Sequence, residues 1–146
     1  MTMMCRRSIL SLPVLLVLTG MVLFAGVTYA ASYWSTTLGG VFLEAETDAF
    51  ALSSSEFAGI SESFADENIT TIAATNTGRE LCNGTWQNRW LVSDSNNNDD
   101  YAVAGDSRAE QNPCLGPHKC QALGSHSFVR TGVFGANPST DDTYDC

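Results

Sequence analysis

The sequence predicts an α+β fold: a small disulfide-stapled extracellular domain behind one N-terminal apolar helix. Three observations predict it. The run from Ile9 to Val27 is nineteen residues long and carries no charge. Four cysteines, Cys82, Cys114, Cys120 and Cys146, follow it. The stretch in between mixes one helix-like apolar stripe with several β-branched and aromatic runs.

The apolar run organises the chain. Nineteen residues are close to the roughly 20 that span a hydrocarbon core as a helix. Arg6 and Arg7, the only charges before it, hold the N-terminus on the cytoplasmic side and place the chain from Ala31 onward outside. Two readings share this topology. Thr28-Tyr29-Ala30 ends the run with small residues suited to signal-peptide cleavage. The length of the run suits a retained membrane anchor. Residues 1–30 are therefore a signal peptide or anchor, and residues 31–146 an acidic extracellular domain.

The whole chain carries 7 basic and 16 acidic residues, a net charge of −9. Residues 1–30 hold two of the arginines and no acid, so the domain has 5 basic against 16 acidic residues and a net charge of −11. Nucleic acid and anionic membrane surfaces need clustered Lys and Arg, so the charge argues against both as partners. The length suits one domain.

Tyr33-Trp34 follows the apolar run and suits a membrane–water interface if the helix is kept. Leu43, Phe50, Phe57 and Phe64 lie seven apart, which on a helix makes one apolar stripe opposed by Glu44, Asp48, Glu62 and Asp66. A helix is predicted here. The rival is a strand, because Val41, Leu43, Ala45, Ala49 and Ala51 alternate, and Ser53-Ser54-Ser55 and Gly59 weaken a helix. Ile69–Ala74 and Thr85–Val92 are predicted strands, and Tyr101–Ala104 a short return strand. Ser93–Asp100 is so polar that a loop is expected. Gly105–Leu123 is expected to be loop stapled by cysteines, Ser127–Phe134 a last apolar piece, and Asn137–Cys146 a polar tail.

An even number of cysteines in an oxidising place implies two disulfides, with three connectivities open. Cys114, His118, Cys120 and His126 also form a compact set of zinc-type ligands, although their spacing is unlike a zinc finger. Asp94–Asp100 has the alternating oxygens of a calcium loop but Asp99 and Gly105 where an EF-hand needs Gly and Glu. Gly59-Ile60-Ser61-Glu62-Ser63 starts like a nucleophile elbow and lacks its closing Gly. No metal or cofactor is therefore assigned. Asn68-Ile69-Thr70 and Asn83-Gly84-Thr85 are glycosylation sequons.

Tyr33-Trp34, Gly84-Thr85-Trp86, Lys119-Cys120 and Phe128-Val129-Arg130 stand in an order that resembles the first membrane helix and first extracellular loop of the claudin, peripheral myelin protein and calcium-channel gamma-subunit superfamily. Thr85 replaces that family's Leu, Arg89 stands where its first loop cysteine would fall, and Cys82 precedes the motif; only Cys120 carries over. The resemblance implies an extracellular sheet and a role in cell contact or channel modulation.

The function expected is non-enzymatic binding of another protein at a cell surface, with Trp34, Trp86, Trp90 and Tyr101 as core and contact residues. The first alternative is a cleaved, secreted, disulfide-stapled protein. The second is a small hydrolase or metal protein using His118 or His126.

Overall fold

A computed structural model describes residues 32–111 and 113–146; the apolar run and its predicted helix lie outside the described residues. Among the described residues there is no helix long and apolar enough to cross a membrane, and in fact none at all. The α+β expectation is corrected: the domain is all-β, an antiparallel sheet curled into a nearly closed barrel. Its strands are β1 (Ser32–Leu38), β2 (Val41–Ser53), β3 (Glu56–Cys82), β4 (Thr85–Ala109), β5 (Lys119–Arg130), β6 (Phe134–Ala136) and β7 (Ser139–Asp145).

The seven-residue stripe explains the error. Seven is odd, so successive members that share a strand point to opposite faces. Leu43 and Phe57 are sealed in the core, Phe50 is half-buried and Phe64 is exposed. The alternating pattern wins instead, with Val41, Leu43, Ala45, Thr47 and Ala49 all buried. The serines that weakened the helix make the turn between β2 and β3.

Three further expectations are corrected. Ser93–Asp100 is strand within β4, paired to β3 through Ser93↔Thr75, Ser95↔Ala73 and Asn97↔Thr71. Its polarity is absorbed locally: Asp94 Oδ2 accepts from Asn96 Nδ2 and from the Val103 amide, each at 3.1 Å. The loop expected over Gly105–Leu123 is shortened at both ends, because β4 runs on to Ala109 and β5 starts at Lys119. The polar tail contains β7, whose inward residues Thr140 and Asp142 are buried although polar.

Strand β3 is the spine. Strand β4 follows one of its edges throughout, while β2 takes the first half of the other edge and β5 the second. Between Phe64 and Ile69 β3 advances five residues while β4 goes only from Tyr101 to Asp99. That bulge bends the ribbon and turns the two halves of β3 to face each other. Strand β5 then pairs with β6 and β7. Past Thr47, β2 has no β1 partner, and there Asp142 of β7 accepts the Ala49 amide at 2.8 Å. This contact brings the barrel close to closure, which leaves less free edge.

The connection between β3 and β4 is a two-residue hairpin. Asn83 and Gly84 adopt φ of 53° and 74°, as a type I′ turn requires. The main apolar core joins Val41, Leu43, Ala45, Ile69, Ile72 and Phe128, with Trp34 stacked on Phe128 at 5.8 Å. A second cluster joins Phe57, Trp90 and Cys120.

Candidate functional site

Three polar assemblies are built on this frame. The first threads the interior. Trp90 Nε1 donates to Asn76 Oδ1 at 2.6 Å, and Asn76 Nδ2 donates to Ser61 Oγ at 2.8 Å. Ser61 Oγ and Thr47 Oγ1 are 2.9 Å apart, Thr47 and Thr140 Oγ1 are 2.5 Å apart, and Thr140 Oγ1 lies 2.7 Å from His126 Nε2. His126 Nδ1 is 2.9 Å from Ser63 Oγ, which donates to Ala73 O at 2.8 Å.

Each hydroxyl has one hydrogen, so the directions follow from the two ends. Ser63 spends its hydrogen on Ala73 O, so the imidazole donates from Nδ1 and accepts at Nε2 from Thr140. Thr140 then accepts from Thr47, and Thr47 from Ser61. Every polar group is satisfied in one consistent sense. His126 is 1 % exposed, and burial pushes it down to about 4, so it is neutral at physiological pH. An inward Gly124 leaves the room these side chains need: a methyl there would stand 2.7 Å from His126 Nε2 and 2.5 Å from Thr140 Oγ1.

The second assembly surrounds Glu80, which is fully buried. Its Oε1 accepts from His118 Nε2 at 2.6 Å and from the Gln111 amide at 2.7 Å. Its Oε2 accepts no hydrogen bond from the described residues and lies 3.5 Å from Arg89 Nε. A bulge accounts for that arginine: β3 passes from Gly78 to Arg79 while β4 passes from Trp90 to Asn88. The extra residue is Arg89, so both it and Trp90 turn inward. Both disulfides flank this end: Cys82–Cys114 and Cys120–Cys146. Burial, then the charges of Glu110 and Glu80, push the Tyr144 hydroxyl up, and that buried hydroxyl has no hydrogen-bond partner among the described residues.

The third lies outside, across β1 to β4. The register aligns Tyr33, Glu46, Glu62 and Val103 in one row and Ser35, Glu44, Phe64 and Tyr101 in the next. Tyr33 Oη donates to Glu44 at 2.9 Å and Tyr101 Oη to Glu62 at 2.5 Å. Tyr33 is 53 % exposed and Phe64 37 %. Burial first, then Asp48, Glu62 and Glu44, raise Glu46. Burial, then Asp142 and Glu62, push Asp48 up to about 6.

The four residues expected as core and contact residues lie in different parts of the barrel. Trp34 and Trp90 belong to the two core clusters. Trp86 lies near the β3–β4 hairpin, with the Arg79 guanidinium 4.7 Å over its ring, and Tyr101 joins the acidic outer face. His118 and His126 belong to separate hydrogen-bond systems, so the set Cys114, His118, Cys120 and His126 is not brought together. Asn68 and Asn83 are both exposed; Asn68 donates to Asn98 O and Asn83 Oδ1 accepts from the Leu115 amide. Sequence reasoning missed Glu80 and Arg89, which no motif marks. The two disulfides fit an oxidising, extracytoplasmic compartment.

No protein-family model matches the chain, and no curated protein matches it. A solved structure of a protein from Archaeoglobus fulgidus is similar at a TM-score of 0.31 and 10 % identity, over 75 % of this chain and 98 % of that one.

Proposed function

We propose that this is a non-enzymatic extracellular binding domain, released or displayed at a surface, whose outer face on β1 to β4 engages a basic protein. The observation that supports it is the register-aligned patch of Tyr33, Phe64 and Tyr101 among Glu44, Glu46 and Glu62. Both tyrosines are held by carboxylates, so little side-chain entropy is lost when a partner docks. Aromatic anchors with charge around them are what a specific protein contact uses. The chain's net charge of −9 favours a partner rich in Lys and Arg and speeds its approach. Cell contact or channel modulation, which the claudin-like features imply, is one form such binding takes.

The test is retention of the protein on immobilised Lys/Arg-rich and Asp/Glu-rich peptides at low and high salt. Retention by the basic set alone, falling with salt and weakened about tenfold or more by Phe64→Ala with Glu62→Gln, is expected. Equal retention by both sets, or an unaffected variant, removes the reading.

A further inference from the structure

Among the described residues, the Cys120–Cys146 bridge has a histidine neighbour that its companion lacks. A ring nitrogen of His118 and the sulfurs of Cys120 and Cys146 all lie within 4.8 Å of one another. The site is held from three sides. Cys120 pairs with Tyr144 across β5 and β7, the Cys146 amide donates to His118 O at 3.1 Å, and Glu80 fixes the imidazole. Glu80 accepts from Nε2, which leaves Nδ1 as the nitrogen able to offer a lone pair. A carboxylate on one nitrogen and a ligand position at the other is how metal-binding histidines are oriented. Beside Cys82–Cys114, Leu81 O lies 3.9 Å from Cys114 Sγ.

We propose that Cys120–Cys146 is a redox-gated cation site: reduced, it becomes a Cys2His set, with His118, for one thiophilic divalent ion such as zinc. The steps balance. A dithiol supplies two electrons and two protons and closes to its own disulfide, or a phosphine is oxidised to its oxide with water giving the oxygen and the protons; the sulfur–sulfur bond breaks and two thiols form. The ion then displaces those protons and bonds to two thiolates and one imidazole. A tetrahedral zinc ion holds such ligand atoms roughly 3.5–3.8 Å apart, so the sulfurs must separate only modestly. The fourth position is left for water, as in sites with three protein ligands. Oxidised, the sulfurs are spent on each other and no ion is held. This differs from the set read from sequence, because Cys146 replaces Cys114 and His126 takes no part.

The experiment is a Co²⁺ titration of the full chain, oxidised and phosphine-reduced, followed by thiolate-to-cobalt charge transfer, tetrahedral visible bands and circular dichroism. The expected result is one equivalent bound by the reduced chain, displaced by Zn²⁺, and none by the oxidised chain. Cys120→Ser should abolish the bands, and His118→Ala should weaken binding at least tenfold. Glu80→Gln should weaken binding about 10–100-fold through the orientation of the ring. A double variant Cys82→Ser, Cys114→Ser should bind as the parent does. If reduction unfolds the chain, recovery of the β signal with one equivalent of Co²⁺ supports the site. No thiolate bands in the reduced parent, or bands indifferent to His118→Ala, overturn it. So do bands that vanish in a folded Cys82→Ser, Cys114→Ser variant.

Discussion

His126 Nδ1 stands 2.9 Å from Ser63 Oγ, and neither side chain reaches solvent. In an open cleft this pairing would suggest a nucleophile and its base. Here the hydrogen runs the other way, because Ser63 gives its own to Ala73 O and receives one from the imidazole. A general base must take the proton from the hydroxyl. The pair therefore acts as a link in a buried polar chain that ties β2, β3, β4, β5 and β7 together.

The first prediction concerns acid. The His126 value of about 4 lies below the ordinary 6.5, so the unfolded chain binds a proton that the folded one refuses. Between these values the unfolded state holds more protons, and stability falls as pH falls through that window. His126→Gln should lose about 1–3 kcal/mol at pH 7.5 by disturbing the chain of hydroxyls. It should also show a flatter loss toward acid. Urea midpoints at pH 7.5 and pH 4.5 check both, and parallel losses in the two proteins would refute the account.

Asp48 should act in the opposite sense. Its folded value of about 6 lies above the ordinary 3.8, so the folded state holds a proton that the unfolded one releases. The carboxyl's contribution is best at low pH and is lost as pH rises through about 6. Its Oδ1 is buried without a hydrogen-bond partner among the described residues. Asp48→Asn should raise stability at pH 7.5 by on the order of 1 kcal/mol, a figure reduced for the side chain's partial exposure, and should gain little below pH 4. Thermal melts at the two pH values decide it.

Gly124→Ala should be among the most damaging small changes. The added methyl would collide with Thr47 Oγ1, Thr140 Oγ1 and His126 Nε2 at once. Overpacking costs about 1–3 kcal/mol, and each buried polar group that loses its partner costs about as much again. A fall of several kcal/mol in unfolding free energy, or failure to accumulate folded protein, is expected. A variant as stable as the parent would show that the interior is looser than these distances imply.

The bridges join residues 32 and 26 apart in sequence. Reduction should raise the intact mass by about 4 Da, two hydrogens per bridge. Replacing either pair by serine should cost about 2–4 kcal/mol, read from denaturant midpoints. Peptide mapping under non-reducing conditions should recover Cys82 with Cys114 and Cys120 with Cys146.

Some of the barrel was legible. Thr85–Val92 and Ile69–Ala74 show β-branched and aromatic bias, and both lie in strands. The alternation from Val41 to Ala49 was visible too, but the seven-residue aromatic spacing drew the reading toward a helix. Asn83-Gly84 is the hairpin signal that joins β3 to β4, and it is masked in the sequence by the sequon and by the Gly84-Thr85-Trp86 stretch that share its residues. Strand β7 was hidden for a different reason. Its inward Thr140 and Asp142 are polar, so no hydrophobic period marks it.

By itself the sequence determined that four of the five cysteines follow the apolar run in an acidic stretch and that this excess of acid disfavours nucleic acid. Both follow from composition, which folding does not change. Only the tertiary structure decided which cysteines pair, that His126 is sealed while His118 faces a disulfide, and that Glu80 meets Arg89. These depend on a bend after Phe64 and a one-residue bulge at Arg89. Each re-aims side chains that pattern reading assigns to a single face, because a one-residue slip in a strand exchanges inside for outside.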